Sequence, residues 1–140
     1  MKPTALLIVP SLLAVSVVHA ESPSLSTLRS NELERVVKDR RVKSGPDEDR
    51  ETYLSPDRKF ETGLYSSGPI HEVINGPEGY ANHEMIYLLA GQITMTATDG
   101  TRTVFGPGQS VTIPKGWTGT FESGSYVKLY SIYYPDGLQP

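Results

Sequence analysis

Glu84-Met85-Ile86-Tyr87-Leu88-Leu89-Ala90-Gly91 alternates side chains to two faces and ends on a glycine. Gln92 to Thr98 follows with Ile93, Met95 and Ala97 at every second position, and then Asp99-Gly100, a strong hairpin signal. Gly106-Pro107-Gly108 turns the chain again. The next strand ends at Pro114-Lys115-Gly116-Trp117. Two hairpins in this order are the centre of a small antiparallel β-structure, and the flanking segments extend it on both sides.

Upstream, Phe60 to Tyr65 and Ile70 to Ile74 read as strands separated by Ser66-Ser67-Gly68-Pro69. Downstream, Thr101 to Phe105, Ser110 to Ile113, Thr118 to Glu122 and Tyr126 to Tyr134 complete the set. Short strands with Gly/Pro turns and almost no helix predict a sandwich or barrel. Before Lys59 the pattern differs. Residues 21–58 are rich in Ser, Pro and charge, and Lys43 to Arg50 reads as a charged loop. Within this arm, Leu28, Leu33, Val36 and Val37 suggest a short helix over Thr27 to Val37. The arm is either a partly ordered extension or a segment that docks on a partner subunit.

The first twenty residues have the pattern of an export leader: Lys2, an apolar run from Ala5 to Val18, then Val18-His19-Ala20 before Glu21. A membrane anchor is the other reading. Pro10 and Ser11 interrupt the run, however, and a bilayer span needs about 20 apolar residues. The expectation is cleavage after Ala20, a periplasmic or secreted product, and no membrane span afterwards. With 13 basic and 16 acidic residues the chain has a net charge of −3, which argues against nucleic acid as a partner. It has no cysteine. Stability must therefore come from a hydrophobic core without disulfide help.

Phe60 to Tyr134 resembles the cupin superfamily, and more narrowly the single-domain cupins related to ureidoglycine aminohydrolase and to the ethanolamine-utilisation cupin. The resemblance is carried by Gly63-Leu64-Tyr65, Glu84 to Gly91, Phe105 to Gly108, Ile113-Pro114-Lys115-Gly116-Trp117-Thr118-Gly119-Thr120-Phe121 and Val127 to Tyr130. It implies an all-β, RmlC-like jelly-roll barrel over residues 59–136, often a homodimer. It also implies a metal held by motif histidines. Glu84 stands seven positions before Gly91 and matches the motif glutamate. The two histidine positions of the first motif fall on Glu78 and Tyr80, or on Pro77 and Gly79. In the second motif Gly108, Pro114 and Gly116 match, and the histidine position holds Gly119.

Outside the leader only His71 and His83 are available. First-row metals favour imidazole and carboxylate ligands, so a three-histidine site cannot be assembled within one chain. A mixed divalent-metal site would need His71 facing inward, beside Glu84 and Glu78, Tyr80 or Glu122. Strand alternation puts Glu84 on the face of Ile86 and Leu88, and His83 on the other. Grouping His71 with apolar Val73 would turn His71 inward. His71 would then be a metal ligand, a general base or a hydrogen-bonded barrel histidine. Glu84 reads as a ligand-contacting group or as a structural carboxylate, which burial would require to be paired. Trp117, Tyr65, Tyr80, Tyr87 and Tyr130 are candidates for pocket walls. Tyr133 and Tyr134 would close the barrel or an interface.

Three functions are compatible with these residues. One is a barrel that binds a small molecule through Glu84, His71, Tyr80, Trp117 and Tyr130 without a standard metal. Another is a metal-dependent hydrolase of the aminohydrolase type, with Glu84 or His71 catalytic. The third is a structural or interaction barrel with no pocket chemistry.

Overall fold

A computed structural model describes residues 24–42 and 47–139. The proposed leader lies outside the described residues, as does part of the charged loop. Among the described residues one helix, α1 (Ser30–Val42), precedes nine strands. These are β1 (Glu48–Leu54), β2 (Phe60–Ser67), β3 (Ile70–Ile74), β4 (His83–Ala90), β5 (Ile93–Ala97), β6 (Arg102–Phe105), β7 (Ser110–Ile113), β8 (Gly119–Ser123) and β9 (Tyr126–Tyr133). They form two antiparallel sheets, in the orders β1-β2-β9-β4-β7 and β3-β8-β5-β6. The two layers make the expected jelly-roll. Among the described residues, no helix is long and apolar enough to cross a membrane.

The core follows from the alternation. Ile86 and Leu88 of β4 are fully buried. They pack with Ile93, Met95, Phe105, Ile113, Phe121 and Tyr126 between the sheets. A second cluster lies on the outer face of the five-stranded sheet, where Val36 of α1 packs with Leu64, Ala90 and Val127. The arm helix therefore docks on its own chain's sheet. It runs to Val42, five residues past the expected end. Its start is fixed by Glu32, whose carboxylate accepts the Arg29 N–H at 2.9 Å, one half of a capping box.

Where the sequence suggests only a charged loop, the structure forms β1, the edge strand of the larger sheet. Its charges do separate jobs on its two faces. Arg50, opposite Leu64, points outward and donates to Glu32 of α1 at 2.7 Å. Asp49, opposite Tyr65, points inward. Charge also suits an edge, since it discourages pairing with other chains.

Candidate functional site

β2, β9 and β4 lie side by side, and their inward positions form rows. Glu61 is opposite Ile132 and Glu84; Gly63 is opposite Tyr130 and Ile86; Tyr65 is opposite Lys128 and Leu88. Three successive rows thus place two carboxylates, an ammonium and two phenols on the concave side of the sheet. Gly63 is required here. A Cβ at this position would lie 2.4 Å from the Tyr130 ring, so only glycine lets that ring lie flat across β2.

A cavity of about 430 Å³ opens over these rows, lined by Asp49, Glu61, Tyr65, Tyr80, Glu84, Lys128, Tyr130, Ile132, Tyr134 and Leu138. Its floor is an ion pair. Lys128 Nζ donates to Glu84 Oε1 at 2.6 Å, with side-chain exposures of 12% and 2%. Tyr80 donates its hydroxyl to the other oxygen, Glu84 Oε2. Tyr80 is held in place by backbone bonds across to the Pro-Lys-Gly-Trp turn: its N–H donates to Trp117 O and the Gly116 N–H donates to Tyr80 O, both at 2.8 Å. The wall is a second network. Tyr130 Oη lies 2.7 Å from Glu61 Oε1 and 2.9 Å from Asp49 Oδ1, and Tyr134 donates to Glu61 Oε2 at 2.6 Å.

These surroundings hold the phenols in their protonated form. Burial, and then the Glu84 charge, push Tyr80 well above the ordinary tyrosine range. Burial does the same for Tyr126, helped by Tyr65 and Glu84. For Tyr130 and Tyr134 burial acts first and the hydrogen bonds to carboxylate second, because a phenolate there would face negative charge.

Of the residues singled out from the sequence, the cavity brings together Glu84, Tyr80, Tyr130, Tyr65 and also Tyr134, which the sequence suggests only as closing the barrel or an interface. His71 does not join them. β3 pairs with β8 so that His71 is opposite Glu122 and Glu72 is opposite buried Phe121. The inward parity therefore belongs to Glu72, and His71 and Val73 face solvent, Val73 being 55% exposed. His71 meets Glu122 at 3.0 Å in a surface pair. Such pairs contribute little. Glu78 is exposed on the loop before Tyr80 and is not part of the cavity lining. Trp117 packs against the core next to Met95 and Val111, over a separate small cavity. Tyr87 points outward. His83 also faces away from Glu84, as expected, and accepts the Lys115 N–H at 3.3 Å.

Lys128, Asp49 and Glu61 enter the site only through the structure. For Lys128 the sequence does carry a signal: in Tyr126-Val127-Lys128-Leu129-Tyr130 the lysine shares its parity with two tyrosines that face the core. A charge on the apolar parity of a central strand needs a buried partner, and Glu84 is that partner.

The residues present do not fit a divalent metal. Both oxygens of the motif glutamate are already taken, one by an ammonium and one by a phenol. Among the described residues, no three His, Cys, Asp or Glu side chains are grouped to hold an ion. The Lys128 ammonium lies against the motif carboxylate.

Residues 55–130, more than half of the chain, match the EutQ-like cupin domain. No curated protein sequence matches. Similar solved structures include a protein of unknown function from Pseudomonas syringae pv. tomato, with a TM-score of 0.56 and 17% identity over 61% of this chain and 36% of that one. A cupin superfamily protein from Desulfitobacterium hafniense has a TM-score of 0.52 and 14% identity, over 66% of this chain and 81% of that one. The EutQ protein of Clostridium difficile has a TM-score of 0.49 and 18% identity, over 64% and 69%. At these identities the likeness is one of fold. The match to the domain model is more specific than the fold, and by it the chain belongs to the EutQ-like cupin domain family.

Proposed function

We propose that this protein binds a small molecule in the tyrosine-walled cavity of its barrel, independently of a metal. One observation carries the reading. A buried Glu84–Lys128 pair, with Tyr80 completing the carboxylate, forms the floor of an open cavity of about 430 Å³. Ligand pockets of this size typically combine apolar or aromatic walls with a few fixed polar groups. A hydrolase of the ureidoglycine aminohydrolase type is not favoured, because its chemistry needs ligands that this cavity does not supply. The leader pattern of residues 1–20 supports export to the periplasm or the outside. Exposed Phe60, Met85, Tyr87 and Tyr133 share the outer face of the five-stranded sheet. That face supports a homodimer.

A fragment screen in which nuclear magnetic resonance and melting temperature are followed together tests the pocket. Compounds that raise the melting temperature should shift the resonances of Tyr80, Lys128 and Tyr130. At about a hundredfold excess over Kd the stabilisation should be near 2.7 kcal/mol. Replacing Glu84 by Gln should abolish these responses. Responses confined to the outer sheet face, or none from a broad library, would leave an interaction barrel without pocket chemistry.

A further inference from the structure

The lining of the cavity narrows the class of ligand, an inference that rests on the proposed binding in this pocket. The lining holds three carboxylates, Asp49, Glu61 and Glu84, against one ammonium, Lys128. Glu84 and Lys128 neutralise each other at 2.6 Å. Among the described residues, Asp49 and Glu61 have no ion-pair partner. Their hydrogen-bond donors are two phenols. Tyr130 Oη is within reach of Asp49 Oδ1 and Glu61 Oε1 at once, but a phenol has one hydrogen to give. Tyr134 is committed to Glu61 Oε2. Whichever way the Tyr130 hydroxyl turns, one carboxylate oxygen at the cavity wall receives no hydrogen from it. With Tyr130 turned to Glu61, which is only 7% exposed, both oxygens of that carboxylate are satisfied and the exposed Asp49 is left to water; neither carboxylate has a counter-charge.

The walls add a second preference. Tyr65, Tyr80, Tyr130 and Tyr134 line the cavity, and an aromatic face attracts a cation. Two of these rings already do so: the Lys128 ammonium lies 5.3 Å from the Tyr65 ring centre and 5.8 Å from that of Tyr130. An anionic ligand would instead meet two carboxylates with no counter-charge. We infer that the cavity takes a small aliphatic amine, with its ammonium group against Asp49 and Glu61 and its carbon chain against the tyrosine rings. The ammonium supplies the charge that the wall lacks and a donor for Asp49 when Tyr130 turns to Glu61. A diamine matches both carboxylates and is the better ligand.

Calorimetric titration of the full chain at low ionic strength, with resonance assignment of the bound site, tests this using four probes of one length: butane-1,4-diammonium, butylammonium, 1-butanol and butyrate. The diammonium should bind roughly tenfold more tightly than butylammonium, and butylammonium roughly tenfold more tightly than butanol, from charge attraction at a partly buried site. Butyrate should be the weakest. Raising the salt should weaken the ammonium probes and leave butanol unchanged. Asp49→Asn and Glu61→Gln should each cost the diammonium about tenfold in affinity. Asp49 stands on an edge strand, so its variant keeps the test valid if Glu61→Gln does not fold. Equal or tighter binding of butanol or butyrate, with shifts at Tyr130 and Lys128, would overturn the amine preference and leave the pocket reading intact. Silence from both ammonium probes would overturn it as well, while the pocket reading then stands or falls on the fragment screen.

Discussion

Replacing Lys128 by Met should destabilise the protein by about 3–5 kcal/mol, because it leaves the Glu84 carboxylate in the barrel without its counter-charge. Glu84 is 2% exposed and has Lys128 and Tyr80 as its partners. Tyr80 can supply one hydrogen and no charge. For a domain of this size the loss corresponds to about 10–20 °C in melting temperature, measurable by denaturant or thermal unfolding. Combining Lys128→Met with Glu84→Leu should restore most of the loss. Removing both members of a buried pair costs far less than removing one. A Lys128→Met protein as stable as the parent would mean that the carboxylate is paired elsewhere or is not buried.

Alkaline pH should unfold the protein steeply, and from a lower pH than its mildly acidic composition suggests. Tyr80 and Tyr126 keep their protons in the folded barrel well beyond the ordinary tyrosine range, since burial opposes the phenolate. Unfolded tyrosines release theirs near pH 10. Below that pH both states are protonated and the contribution to stability is fully present. Above it the unfolded chain loses protons that the folded chain retains, so stability falls as pH rises. Two such groups give a slope of about 2.7 kcal/mol per pH unit, or about 3 kcal/mol lost by pH 11. Tyr130 and Tyr134 are raised for the same reason and steepen the fall. Denaturant melts between pH 8 and pH 11 read this directly. A flat profile would show that these tyrosines titrate freely.

The barrel is legible in the sequence because its strands follow the simplest rule. Ile86 and Leu88, or Ile93 and Met95, alternate with outward residues, and Gly/Pro turns divide one strand from the next. β1 is not legible. In Glu48-Asp49-Arg50-Glu51 charge occupies both faces, because one face meets the helix at Glu32 and the other meets the pocket at Tyr130. Neither face is apolar, so no alternation appears. His71 misleads for a related reason. Apolar Val73 suggests that their shared face is buried, yet β3 is short and lies at the edge of its sheet, and it leaves Val73 outside.

The site is half legible. Glu84 and Tyr80 stand at or near motif positions, and local alternation is enough to turn Glu84 inward. The partners of Glu84 and Tyr130 depend on cross-strand register, which joins residues up to 81 positions apart, as in the Tyr130–Asp49 contact. No spacing within one strand reveals that. The motif pattern directs attention to a metal near Glu84, whereas the counter-charge is an amino acid, Lys128, at an inward position of the neighbouring strand.

The motif glutamate of this barrel is paired with Lys128, and the metal-independent binding proposed for the cavity depends on that pair. The most direct test is elemental analysis of protein purified without an affinity tag or chelator, before and after incubation with manganese, iron, nickel or zinc and removal of the excess. Metal far below one ion per chain is expected in both samples. One ion per chain that disappears in Glu84→Gln would contradict this, and would place a metal where the structure places the Lys128 ammonium.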